Sequence, residues 1–123
     1  MKTELLIITA LESELKRETV PSGAEIVYSG IGKINAAVTS LKAIHQFSPR
    51  LILNFGAAGK INPEVDGLLE IGRVIQRDMD AEPLAPRGST LFCIRPTEHL
   101  SSGKFICGSG DSFVTAQDPW LQS

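Results

Sequence analysis

Glu12 and Glu14 follow directly on an apolar N-terminal run, Leu5-Leu-Ile-Ile-Thr9. A carboxylate at the exit of a buried strand can take a proton from water and make it a nucleophile. The competing reading is a solvated helix start, where acidic side chains complement the macrodipole. Leu11 and Leu15 alternate around the pair, which keeps one carboxylate turned toward the strand ends, so both readings stand. Ser112, in Gly110-Asp111-Ser112, is a second possible nucleophile. The chain has 2 histidines, His45 within a helical pattern and His99 in a polar loop, and none follows Ser112. Without a placed base the serine is a poor candidate. Asp78 and Asp80 have the spacing of a metal pair, but no further hard-oxygen donor accompanies them. They read as loop acids or caps, and no metal is expected. Phe113 is either a ring that stacks on a planar ligand, worth about 1–3 kcal/mol per base, or a core residue.

These groups need elements to hold them. Leu51-Ile-Leu-Asn-Phe-Gly-Ala-Ala-Gly59 reads as a buried parallel strand, Leu51–Phe55, that breaks into a turn nearly free of side chains. A flat ligand could lie against that backbone. Phe105-Ile-Cys-Gly-Ser-Gly-Asp-Ser-Phe-Val114 repeats the design. Ligands of open α/β sheets bind beyond the carboxyl ends of strands, so two such exits predict one site at the top of one sheet. Gly30-Ile-Gly32-Lys33 is neither of the common phosphate loops. A Walker loop would need Gly at Val27 and Ser or Thr at Ile34, and a dinucleotide fingerprint would need Gly at Asn35. What remains is a turn feeding a helix N-terminus, able to receive an anion or hydroxyl, or a plain strand-to-helix turn.

Periodicity supplies the rest. Glu4–Ala10 is expected as the first and central strand, Leu11–Arg17 as a short helix ended by Pro21 and Gly23, and Glu25–Ser29 as a second strand. Lys33–Phe47 is a clear helix whose Ile34, Ala37, Val38, Leu41, Ile44 and Phe47 make one apolar face. Ser48-Pro49 stops it. Further strands are expected near Arg73–Gln76, at Leu91–Ile94 as an edge, and at Lys104–Gly108. Residues 78–90 form a proline-broken excursion, and 97–103 a loop. Strands alternating with helices and loops give an α/β class, with a mixed, mostly parallel sheet. One long helix is too little cover for such a sheet. Either long loops cover one face or covering elements lie outside this chain.

The bulk numbers exclude several classes. With 123 residues, 42% hydrophobic and 21% charged, the chain has the composition of one ordinary folded domain, 1–123. A net charge of -2 and a pI of about 5.6 offer no electrostatic drive toward nucleic acid or an anionic membrane. No apolar run approaches the roughly 20 residues of a membrane span. Glu4, Glu12 and Glu14 argue against a signal peptide, and the protein is expected in the cytoplasm. Cys93 and Cys107 lack metal-site spacing and are expected as buried free thiols.

Gly110-Asp111-Ser112 is similar to the nucleophile block of GDS-type esterases, but that block opens its domain and is followed by an Asp-x-x-His that this chain lacks. A wider set of segments resembles the nucleoside phosphorylase and nucleosidase family, closest to the hydrolases of methylthioadenosine and adenosylhomocysteine. They are Ile8-Thr-Ala-Leu-Glu-Ser-Glu-Leu15, Ser29-Gly-Ile-Gly-Lys33, Leu53-Asn-Phe-Gly-Ala-Ala-Gly59, Ile71-Gly-Arg-Val74 with Asp78-Met-Asp80, and Gly108-Ser-Gly-Asp-Ser-Phe113. The resemblance implies a nucleoside phosphorylase-like α/β fold and cleavage of an N-glycosidic bond in a purine nucleoside, with no cofactor and no metal. Glu14 matches the carboxylate that deprotonates the attacking water. Ala57 and Gly59 match the turn along ribose and base, Phe113 the aromatic ring on the purine, and Val114 the backbone at its edge. Ala81 and Leu84 fall where a flexible loop lines the pocket, and Ile31 joins them as a substrate-binding residue. Family phosphorylases place arginine after the strand equivalent to Leu51–Phe55; here stand Ala57 and Ala58, which favours water over phosphate. The family's leaving-group acid, in a Ser-Asp motif, and its ribose-binding glutamate, in a Met-Glu motif, have no match in this chain. The resemblance therefore implies half of an active site and a C-terminally truncated domain, active weakly or not at all. Phosphorolysis and a non-catalytic nucleoside-binding remnant are the alternatives. The family and the incomplete sheet cover both imply a homo-oligomer, a dimer.

Overall fold

The computed structural model describes residues 2–95 and 97–123. The chain forms two compact units, 1–58 and 59–123. Each contains a three-stranded sheet, so the fold is α/β and mostly parallel, but the single sheet expected from sequence is instead two.

In the first unit β1 (Thr3–Thr9) lies between β2 (Ala24–Tyr28) and β3 (Pro49–Asn54), both parallel to it. β1 is central, as its continuous apolar run requires: Leu6, Ile7, Ile8 and Thr9 are all buried. Helix α1 spans Lys33–Phe47, matching its predicted bounds. Gly32 starts it at φ 102, a backbone conformation costly for any side chain, and Ser48 closes it in the left-handed region, its N–H donating to the Ile44 carbonyl at 2.9 Å. Ala43 and Phe47 of α1 pack on Leu6 and Ile8, with Val27 alongside.

Two expectations need correction here. The apolar face predicted to be buried is exposed at Ile34, Val38, Leu41 and Ile44; only Phe47 of that set is buried. α1 meets the sheet through the small residue Ala43 and through Phe47, a close approach that leaves the branched side chains outward. β3 is parallel as predicted but not buried, with Leu51 64% exposed. Among the described residues it is an edge strand, paired to β1 alone.

The predicted helix Leu11–Arg17 is absent. Residues 12–14 make a turn, and a single 3-10 turn follows at Arg17–Thr19. Polar bonds anchor the segment in another conformation. The Tyr28 hydroxyl donates to the Leu15 carbonyl at 2.7 Å, and the Arg17 guanidinium donates to the Ile26 carbonyl while lying 5.6 Å from the Tyr28 ring centroid.

In the second unit β4 (Ile71–Gln76) is flanked by β6 (Phe105–Ser109), parallel, and by the two-residue β5 (Glu98–His99), antiparallel. Leu91–Ile94, expected as an edge strand, is irregular, and the pairing falls instead within the predicted loop 97–103. The excursion 77–90 folds back on β4: Gln76 N–H donates to the Gly88 carbonyl at 3.2 Å, and Gly88 N–H to that of Met79 at 2.8 Å. A short helix α2 (Pro119–Gln122) is capped by Asp118, whose carboxylate accepts from Trp120 N–H at 3.0 Å. Among the described residues no helix is long and apolar enough to cross a membrane.

Candidate active site

Parallel pairing places the carboxyl ends of β1, β2 and β3 at one edge of the first sheet. Beyond the strands the register continues for a residue or two. Ser29 and Gly30 N–H groups donate to the carbonyls of Thr9 and Ala10, and Phe55 N–H donates to that of Ile8, each at 3.0 Å. The chain then leaves β1 into the turn carrying Glu14 and leaves β3 into Gly56-Ala57.

Glu14 occupies this edge with both oxygens engaged. Oε1 accepts from Leu11 N–H at 3.0 Å, while Glu14 N–H donates to the Leu11 carbonyl at 3.0 Å, a reciprocal pair that closes the turn. Oε2 accepts from Ala57 N–H at 2.6 Å. Each oxygen keeps a second lone pair that can accept a proton from water. Glu14 and Ala57, two residues singled out from sequence, are thus in direct contact. Glu12 is exposed. Ile31, between Gly30 and Gly32 at the β2 exit, is 66% exposed.

The remaining predicted residues belong to the second unit. Gly59 opens it and has free space on its side-chain side. Ala81 begins a turn in which its carbonyl accepts from Leu84 N–H at 2.9 Å, leaving the Leu84 side chain exposed. Phe113 follows the β6 exit and is 88% exposed, so it is not a core residue of its unit. Val114 borders two open clefts of about 310 and 330 Å³. Thr115–Asp118 line both clefts, together with Lys60 and Ile61 in one and Arg77 and Arg87 in the other.

Several charges in this unit are engaged in its structure. Arg87 grips Asp118 through two bonds of 2.7 and 3.4 Å and lies 4.3 Å from the Trp120 ring centroid. The Arg87 hydrogen bond holds the Asp118 carboxyl below its usual range, and Arg87 is itself raised, chiefly by the same bond. Sequence reasoning missed this cluster; the only signal was an unassigned Asp-Pro-Trp after a proline-flanked arginine. Arg73 donates to Thr97 Oγ1 at 3.3 Å and Arg95 to Glu98 at 3.1 Å. Asp78 accepts from Asp111 N–H at 3.0 Å and Asp80 from Glu82 N–H at 3.2 Å. Among the described residues no group of three or more His, Cys, Asp or Glu could hold a metal ion. Cys107 is half-buried and its thiol is pushed up by desolvation, whereas Cys93, expected to be buried, is exposed.

Residues 23–105 match the model of the phosphorylase superfamily. A 5'-methylthioadenosine/S-adenosylhomocysteine nucleosidase from Marinomonas sp. (strain MWYL1) is 33% identical over 89 residues, covering 63% of this chain and 37% of that protein. Proteins of the same name from Staphylococcus haemolyticus (strain JCSC1435) and Staphylococcus epidermidis (strain ATCC 12228 / FDA PCI 1200) are 40% identical over 58 residues and 26% identical over 112. These two matches cover 46% and 76% of this chain, and 25% and 49% of the relatives. The chain thus spans at most about half the length of these curated relatives. With two thirds of its length matched by the family model, the chain belongs to the phosphorylase superfamily.

Proposed function

We propose that this chain carries the water-activating part of a purine nucleosidase that hydrolyses the N-glycosidic bond of methylthioadenosine or adenosylhomocysteine. The observation that carries this reading is the Glu14 carboxylate, held at 2.6 Å on the Ala57 amide at the carboxyl ends of β1 and β3. In the reaction, water adds to the anomeric carbon and passes a proton to Glu14. The bond from that carbon to the purine nitrogen breaks, its electron pair stays on the base, and an acid protonates the base as it leaves. The sugar passes through an oxocarbenium-like state, which an adjacent carboxylate also stabilises. By family resemblance Ala57 and Gly59 border ribose and base, and Phe113 stacks on the purine. Val114 meets its edge through the backbone, and Ile31, Ala81 and Leu84 complete the contacts.

Water is favoured over phosphate because Gly56-Ala-Ala-Gly59 has no arginine; phosphate would have to use arginines elsewhere, such as Arg73, Arg77, Arg87 or Arg95. The 123 residues contain neither a Met-Glu nor a Ser-Asp pair. A second reading is a nucleoside-binding module without turnover, and the isolated 123 residues are expected to be slow or inactive. In this reading the protein works in the cytoplasm as a single domain and self-associates as a dimer through apolar surface such as the outward stripe of α1.

Adenine release from methylthioadenosine, followed by a coupled assay, tests the proposal. Turnover that disappears in Glu14→Gln supports Glu14 as the base; turnover that survives removes it. Calorimetric binding of adenine without any turnover selects the second reading.

A further inference from the structure

The turn after β3 contains two glycines with different surroundings. A methyl group on Gly59 would meet nothing within 4 Å. On Gly56 it would lie 2.8 Å from Glu14 Oε2 and 3.6 Å from Glu14 Cδ. No real Cβ tolerates an oxygen that close. Gly56 is not among the glycines with positive φ, so it does not hold the left-handed backbone that favours glycine. The constraint on this position is against a side chain in the space that the Glu14 carboxylate occupies.

We propose that Gly56 is a positioning residue: its missing side chain is what lets the Glu14 carboxylate reach the Ala57 amide. The catalytic consequence rests on the reading of Glu14 as the base, whereas the steric relation does not. The atom that would clash is the far end of a flexible, partly exposed side chain. Gly56→Ala should therefore displace the carboxylate rather than unfold the unit. The variant separates the placement of Glu14 from its presence, which Glu14→Gln cannot do.

The test is a double-mutant cycle read at the Ala57 backbone amide by NMR on the 123-residue chain. With Gly56 in place, Glu14→Ala should move the Ala57 amide proton, because a charge-assisted hydrogen bond is lost. In the Gly56→Ala background the same Glu14→Ala change should leave that proton where it was, with β1 and β2 amide shifts unchanged throughout. Comparing the two backgrounds cancels the direct effect of the added methyl on its neighbour. An equal movement in both backgrounds would overturn the proposal, since Glu14 would then reach Ala57 despite the methyl. Where the chain turns over methylthioadenosine, Gly56→Ala should lower kcat by about 100-fold with KM little changed; an unaltered kcat would overturn the positioning role. Turnover retained by Glu14→Gln would instead remove the catalytic reading and leave the steric relation standing.

Discussion

The Glu14 carboxylate and the Ala57 amide, 43 residues apart in sequence, meet at 2.6 Å across the ends of two parallel strands. The contact joins the turn after β1 to the turn after β3 and holds an acidic side chain where ligands of α/β sheets bind. Glutamine keeps the shape and an acceptor for Ala57 N–H but cannot take a proton. Glu14→Gln should lower adenine release by about 10²–10⁴-fold with only a small fall in melting temperature, because one of the two backbone N–H groups loses its acceptor, checked by the coupled assay beside thermal unfolding.

Arg87 and Asp118 should give the second unit an acid-sensitive tether. The folded Asp118 carboxyl is lowered by its Arg87 bond from an ordinary 3.8. A depressed carboxyl contributes stability that is fully present above its unfolded pKa and is lost as pH falls through the folded one. Asp118→Asn should therefore melt below the parent at pH 7, with the gap narrowing once the pH drops below about 4. Melting curves across that range check it; a gap independent of pH would exclude the ion pair as its source.

Thr9 ends β1 at 1% exposure, and its hydroxyl has no hydrogen-bond partner among the described residues. An unpaired buried hydroxyl costs about 1–3 kcal/mol. Thr9→Val keeps the branched shape and removes that cost, so it should stabilise the fold by about 1 kcal/mol, read as a higher urea midpoint at unchanged slope.

The outward stripe of α1 should govern self-association. Ile34 is 78% and Leu41 60% exposed on a helix that is otherwise well formed. Sedimentation should find the parent chain heavier than a monomer and Leu41→Asp monomeric, with matching circular dichroism. A variant that sediments like the parent would place the contact elsewhere.

Local rules carried much of this fold into the sequence. β1 and β2 follow from short apolar and β-branched runs, and the bounds of α1 from a turn at Gly30–Gly32 and a stop at Ser48-Pro49. The α/β class, the central place of β1 and the superfamily were legible for the same reason, since each depends on neighbours in the chain or on motif order. Burial was not legible. Ile34, Val38 and Leu41 look like a core face, yet Ala43 and Phe47 face the sheet, because packing selects the face that lets the helix approach closely. Pairing was not legible either: β4 takes Glu98–His99 rather than the more apolar Leu91–Ile94 as its antiparallel neighbour, and the strands divide into two sheets. Glu14 was visible as an acid near a strand end. Its grip on Ala57, and the empty space at Gly56 that permits it, exist only because two parallel strands bring distant turns side by side.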